Sequence, residues 1–248
     1  REVEFLQETD STNTEARRLA EKGAKDGTLV VAEYQTAGKG RRGRSWTSPS
    51  GTGIWMSLVL RPGLEPACAP MITLLTGLAV SAGIEDYCGL KSQIKWPNDL
   101  TLEGKKICGI LTEMSADMEM IRYVVVGIGI NVNIEAFPEE IAYKATSLYL
   151  ESGKKIKRSG MIACIMKRME EYYERFLDTA DLSCMRKEYE DRLVNMGRKV
   201  LVLAPKGEYQ GVCLGINDDG ELLVEREDGT VSRVMSGEVS VRGVYGYV

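Results

Sequence analysis

Seven consecutive residues, Gly38-Lys39-Gly40-Arg41-Arg42-Gly43-Arg44, hold three glycines and four cations directly after an extended apolar run. Glycine lets backbone N–H groups turn toward a ligand, and arginine offers a planar fork of donors matched to carboxylate or phosphate oxygens. The segment is suited to receiving an anion. Gly38, Gly40 and Gly43 also satisfy G-x-G-x-x-G, but the dinucleotide fingerprint needs a helix opening at its last glycine and an acidic residue about 20 positions on. Here the chain continues Arg44-Ser45-Trp46-Thr47-Ser48-Pro49-Ser50-Gly51, a breaker-rich loop, and no G-x-x-x-x-G-K-[ST] phosphate loop occurs elsewhere. Taken alone, the stretch reads either as an anion-binding loop or as a solvated basic turn that touches RNA.

Three further segments carry polar chemistry at regular spacing. In Lys95-Trp96-Pro97-Asn98-Asp99 the proline pushes Trp96 toward an extended conformation and two short polar side chains follow, which suits a site or an Asx turn between strands. Lys105-Lys106-Ile107-Cys108-Gly109-Ile110-Leu111 begins a strand, so the two lysines point to opposite faces and only one can enter a site. Gly109 in that strand allows close approach of a ligand or another backbone. In Gly127-Ile128-Gly129-Ile130-Asn131-Val132-Asn133, period two puts the glycines and asparagines on one face and the branched residues on the other. Such a face is a small polar floor for a ligand, or a close seat for a helix.

The chain has 248 residues and no histidine, which removes Ser-His-Asp and Cys-His nucleophiles, histidine bases and histidine metal ligands. Chemistry must rest on Lys, Arg, carboxylates, Asn and positioning. A net charge of −4 makes the positive charge local, which disfavours general nucleic-acid binding. The six cysteines are dispersed, with no C-x-x-C, as expected of free thiols in a reducing compartment. No signal-like or membrane-spanning run is evident, so a cytoplasmic protein without membrane contact is expected.

The elements that must position these residues follow from periodicity. Val3–Gln7 reads as a strand, and Thr12-x-x-Glu15 as a capping box before a helix carrying Ala16, Leu19 and Ala20 and stopping at Gly23. Thr28–Tyr34 and Gly53–Leu60 read as strands flanking the basic loop, and Cys68–Cys88 as a core helix. Strands are expected at 93–96, 100–102, 106–114 and 121–133, and a helix at 159–178 with Ile162, Ile165, Met166, Met169, Tyr173 and Phe176 as its packing stripe. Composition shifts near Asn195. Short strands at 200–203, 211–216, 221–225 and 231–235, joined by Gly turns, then imply a small β-barrel. Two domains are therefore expected, 1–194 and 195–248.

Jointly, GKGRRGRSW at 38–46, KWPND at 95–99, KKICGIL at 105–111 and GIGINVN at 127–133, preceded by DSTN at 10–13, resemble the biotin protein ligases. The resemblance implies an α+β fold, a mixed β-sheet flanked by helices of the class II synthetase-like type, followed by an SH3-like β-barrel. It implies an enzyme that uses ATP and Mg²⁺ to turn biotin into biotinyl-AMP, then transfers biotin to a lysine of a biotin carboxyl carrier protein. By the same resemblance Ser11, Thr12, Asn13 and Gln35 lie by the biotin rings, with Gly38, Lys39, Gly40 and Arg41 folding over them and Gly109 beside them. Lys106 matches the lysine that contacts the biotin carboxylate, and Lys106 and Arg41 are the catalytic pair. Lys39, Arg41, Arg44, Trp46, Asn98, Asp99 and Asn131 attend the adenylate, with Trp46 against the adenine; metal ligands are not indicated. Lys39 stands where arginine is common, which keeps the charge and loses the bidentate geometry.

Relatives of the same family that act as repressors carry an N-terminal winged helix. This chain opens at the expected first catalytic strand, so DNA is not an expected partner, whereas a homodimer is compatible with the pattern. The lipoate ligases, which share the adenylation logic, carry a Gly-rich stretch ending in His-Asp that a histidine-free chain lacks.

Overall fold

A computed structural model describes residues 2–204, 207–236 and 240–243. Arg1, residues 205–206, 237–239 and 244–248 lie outside the described residues, and with them part of the expected 195–248 unit. The chain opens with β1 (Val3–Thr9), α1 (Thr12–Glu21), β2 (Thr28–Gln35), β3 (Gly53–Leu60) and the 20-residue α2 (Ala69–Cys88). β4 (Gln93–Lys95), β5 (Asp99–Leu102), β6 (Lys105–Ala116) and β7 (Ile121–Asn131) complete a seven-stranded sheet in the order β1-β2-β3-β7-β6-β5-β4, and the short α3 (Glu139–Ala142) and α4 (Leu148–Ser152) follow it. Only β1 and β2 pair in parallel; the other neighbours are antiparallel, so the sheet is mixed as expected.

Strand alternation decides which residues meet which helices. On one face of β3 and β7, Ile54, Met56, Leu58, Val124, Val126, Ile128 and Ile130 pack beneath α2 and α5 (Arg158–Thr179). α2 is apolar on all sides because it is enclosed on all sides: fourteen of its residues are buried, and its length and composition reflect a core helix. Left-handed Gly89 ends it. On the opposite face Val59 and Val125 pack with Ala16, Ala20 and Val30 beneath α1. α1 is only ten residues long, so it covers one part of this face and leaves the stretch beyond its N-terminus open.

Beyond α5 and the short α6 (Arg186–Glu190), five strands form an antiparallel sheet: β8 (Lys199–Ala204), β9 (Gly207–Ile216), β10 (Leu222–Glu225), β11 (Val231–Val234) and β12 (Ser240–Gly243), in the order β11-β10-β9-β8-β12. This is the small all-β module expected after Asn195. Its core residues Val200, Val202, Ile216, Leu222 and Val224 join the same apolar cluster as α2 and α5. Polar ties add to that seam. Trp96 Nε1 donates to the Gly220 carbonyl at 3.1 Å, the Leu182 N–H to the Asp218 carbonyl at 2.8 Å, and Arg186 pairs with Asp218 at 3.0 Å.

Two local expectations fail. Thr12 and Glu15 form no capping box: Ser11 is the N-cap and makes no side-chain cap bond, Thr12 lies inside the helix, and Glu15 pairs with Arg18. The Thr12 hydroxyl is turned toward Gln35 of β2 and Ser57 of β3 instead. Trp96 is not the last strand residue either, since β4 ends at Lys95 and Trp96-Pro97-Asn98 forms the turn into β5, with a cis Trp96–Pro97 bond.

Candidate active site

The open stretch of sheet is built from the residues that alternation places on α1's face. Pairing sets Trp55 opposite Gly129, Ser57 opposite Gly127, Gly129 opposite Gly109 and Gly127 opposite Leu111. Two of these glycines are steric necessities. A Cβ on Gly127 would lie 1.9 Å from Asn13 Oδ1, and one on Gly129 would lie 2.6 Å from Trp46 Nε1. Gly127 thus gives a close seat to the first turn of α1 and Gly129 to the basic loop, and together they form a floor on which Asn13 and Trp46 rest.

At one end of the floor lies a polar cluster. Ser11, Thr12, Asn13 and Gln35 line the cleft, and Thr12 and Asn13 are almost fully buried. The Thr12 N–H donates to Gln35 Oε1 at 2.8 Å, and Gln35 Nε2 donates to Ser48 Oγ at 2.6 Å. Ser57, fully buried, holds its hydroxyl 2.7 Å from both Thr12 Oγ1 and Asn13 Oδ1. Helix start, two strands and basic loop thus meet in one hydrogen-bonded network with unfilled capacity toward the cleft.

At the other end the charge is positive. Lys106 Nζ lies 2.6 Å from Asp99 Oδ1 and 5.2 Å from the centre of the Trp46 ring. The indole of Trp46 lies against Gly109 and Gly129 and meets Trp55 edge-on at 6.4 Å. Among the described residues, no acceptor is within reach of its buried Nε1. Arg41 donates to Asn98 Oδ1 at 3.0 Å and, through its other terminal nitrogen, to the carbonyl of Ser236, two residues past the last strand residue Val234 of β11. Burial lowers the Arg41 pKa, an effect that Asp99 opposes. Lys95 is 7% exposed, and burial brings its pKa down to about 8 against the pull of Asp99.

The basic loop has more internal order than its glycine content suggests. Gly40 N donates to Arg44 O at 2.7 Å and Trp46 N to Gly38 O at 2.8 Å, so the loop closes as a small hairpin around a turn at Arg41–Gly43. Arg42 takes a left-handed conformation there (φ 59°). Lys39 and Gly40 reach the cleft with Arg41, whereas Arg44 is exposed and stands outside the cleft lining.

Of the residues singled out from sequence, the cleft brings together Ser11, Thr12, Asn13, Gln35, Lys39, Gly40, Arg41, Trp46, Asn98, Lys106 and Gly109. Gly38, Arg44, Asp99 and Asn131 stand outside its lining. Gly38 is buried beneath the Trp46 carbonyl, Asp99 reaches the cleft through Lys106, and Asn131 is buried with its amide donating to Thr146 O at 3.1 Å. Trp55, Met56, Ile110 and Leu111 line the cleft although sequence reasoning did not place them there, and Ser57 supports it from below. The signal for Ser57 was available: it is the one hydroxyl in an otherwise apolar central strand.

Two family models match the chain: the biotin/lipoate A/B protein ligase family over residues 5–131, and the biotin protein ligase C-terminal domain over residues 196–242. The bifunctional ligase/repressor BirA of Bacillus subtilis is 41% identical over 233 residues, covering 93% of this chain and 71% of that protein. The biotin–[acetyl-CoA-carboxylase] ligase of Mycobacterium tuberculosis is 32% identical, covering 96% of this chain and 88% of its own. Among solved structures, the biotin protein ligase of Aquifex aeolicus in complex with biotin and ATP superposes with a TM-score of 0.86 at 34% identity, covering 98% and 99% of the two chains.

Proposed function

The chain belongs to the biotin/lipoate A/B protein ligase family, and from that premise we propose how its own residues divide the work of an ATP-dependent biotin ligase. The enzyme activates biotin with ATP and passes it to a biotin carboxyl carrier protein. One observation carries the assignment: the polar cluster at the start of α1 and the Lys106–Asp99 pair stand at opposite ends of a single glycine floor.

Biotin has the same polarity, a cyclic urea at one end and a carboxylate at the other. In our reading Ser11, Thr12, Asn13 and Gln35 take the urea, and Lys106 takes the carboxylate. In the first step a carboxylate oxygen attacks the α-phosphorus of ATP, an acyl–phosphate bond forms, and pyrophosphate leaves. Two anions must be joined, so the chain's contribution is charge neutralisation and in-line placement. Lys106 supplies the charge between carboxylate and α-phosphate, and Asp99 keeps its ammonium aimed there. Arg41, Lys39 and Asn98 hold the nucleotide side, and Trp46 offers a flat apolar face to the adenine. In the second step the amine of the carrier lysine attacks the acyl carbon and AMP leaves. The hairpin tied across the cleft by Arg41 keeps water from the mixed anhydride until then.

Among the described residues no cluster of three or more metal-ligating side chains exists. At the Lys106 end Asp99 is the carboxylate at hand; it would hold Mg²⁺, which would supply neutralisation of triphosphate charge. Six free cysteines support a cytoplasmic setting. We further infer domains at 1–194 and 195–248, supported by the composition shift near Asn195. A homodimer without DNA binding also belongs to this reading.

Biotin-dependent exchange of radiolabelled pyrophosphate into ATP tests the assignment, with lipoate and octanoate as controls and a carrier domain as the final acceptor. Exchange with biotin alone, followed by labelling of one carrier lysine, is expected. Equal exchange with lipoate, or none with biotin, would overturn it.

A further inference from the structure

We propose that Glu113 is a positioning residue for substrate selection: it fixes the Asn13 amide so that its oxygen lies at the floor of the cleft, over Gly127, and so selects a ligand that brings an N–H there. This rests on the biotin ligase reading above. Glu113 lies on β6, paired with Val125, and therefore shares a face with Leu111, which pairs with Gly127.

Asn13 Nδ2 donates to Glu113 Oε2 at 2.8 Å and to the Leu111 carbonyl at 3.2 Å, so both amide protons are spent on acceptors away from the ligand. Its Oδ1 lies against the floor, in space that only a glycine at 127 leaves open. Ser57 stands 2.7 Å from that oxygen, but it stands equally close to Thr12 Oγ1 and has one proton to give. An amide oxygen has two lone pairs. At least one therefore remains for a ligand.

The orientation is enforced by chemistry at position 113. A carboxylate only accepts, so Asn13 cannot turn its oxygen toward Glu113 without setting two acceptors against each other. The cyclic urea of biotin carries two N–H groups and can satisfy that oxygen's remaining lone pair. The dithiolane of lipoate carries none and would leave that oxygen buried and unpaired, the situation in which a polar site discriminates most strongly. Glu113 touches no part of the substrate in this arrangement and acts through Asn13.

The test compares Glu113→Met, which removes the acceptor, with Glu113→Gln, whose Oε1 can still accept from Asn13. Each is assayed by pyrophosphate exchange with biotin and with an isostere carrying ring oxygens in place of the urea N–H groups. E113M is expected to raise KM for biotin about tenfold, with kcat within about twofold of the parent, and to shrink the preference for biotin over the isostere by a similar factor. E113Q should keep the parental KM and preference, because with the Leu111 carbonyl holding the other amide proton the Gln Oε1 completes the same pair of acceptors. Should E113M fold poorly, Glu113→Lys is read in its place, because a donor at 113 turns the Asn13 oxygen out of the cleft. Parental KM and preference in the acceptor-free variant would overturn the proposal, as would equal loss in E113Q or a matched fall in kcat and thermal stability. Absence of exchange by the parent enzyme with biotin is a different result, and overturns the functional reading itself.

Discussion

Lys106 shows how far one side chain can be placed from sequence. Alternation required that only one of Lys105 and Lys106 enter a site, and the partner that holds Lys106 at 2.6 Å is Asp99, from a motif already singled out. Lys106→Ala should cut biotin-dependent exchange by about 10²-fold or more while leaving the melting temperature near that of the parent, since the lysine's work is done on developing charge. Wild-type exchange in a folded variant would remove Lys106 from the mechanism. Lys95 makes a prediction of opposite character. Its pKa falls from 10.5 in the unfolded chain to about 8, so below pH 8 the folded state bears the cost of a buried charge. Between about pH 8 and 10.5 the unfolded chain binds more protons, and stability contributed at this site rises with pH by up to about 3 kcal/mol. Lys95→Met should abolish that rise relative to the parent in thermal melts between pH 7 and 10, and raise stability most at the acid end. Asp99, Lys106, Arg44 and Arg242 are the charges around it, so unchanged difference melts would mean that one of them relaxes the site. Ser57 and Asn131 mark the limits of legibility at this scale. A serine buried at 0% and an asparagine spent on a backbone carbonyl differ from cleft residues only through tertiary register.

At the scale of elements, period-two and helical stripes located the strands of the sheet, α2 and α5, because each buries a face whose apolar residues repeat with the backbone. The short α6 and β12 carry too few residues to show a period, and they form because neighbours pack against them. The failed capping box has a different cause: a pattern of Thr and Glu specifies hydrogen-bonding capacity, and here the Thr12 hydroxyl spends it on Gln35 and Ser57. The basic hairpin also reads differently as an element than as a string of glycines. Its backbone pairs hold the turn, so what secures it across the cleft is mainly Arg41 on Asn98 and Ser236. Arg41→Gly removes both charge-assisted bonds and frees the backbone beside Gly40. Free biotinyl-AMP in solution should rise about tenfold or more per turnover, measured by chromatography of the reaction without carrier. Retention equal to the parent would show that the hairpin closes without that arginine.

For the whole molecule, the boundary near Asn195 is visible as a change of composition, while the merging of the two cores is not, because it depends on which faces of the two units meet. Val200, Val202, Ile216, Leu222 and Val224 share one apolar cluster with α2 and α5. The two units should therefore unfold in a single calorimetric transition, and two resolved peaks would contradict the shared core. Trp96→Phe removes the only donor given to the buried Gly220 carbonyl by that side chain. A loss of about 1–3 kcal/mol is expected, read as a lower denaturant midpoint with the slope preserved. A separate low-denaturant transition of the C-terminal sheet would instead identify this bond as its main anchor.

The long sequence separations in the site also bear on synthesis. Asn13 meets Glu113 across 100 residues, and Arg41 meets Ser236 across 195. A ribosome adding about 5–20 residues per second exposes the basic hairpin many seconds before the strand turn that receives it. The nascent chain can assemble its biotin-facing cluster once β7 has emerged, but its cleft is tied shut only when the last strands leave the exit tunnel. An incomplete chain would therefore lack the tie that holds the mixed anhydride, so its retention is the last property of the site to be made.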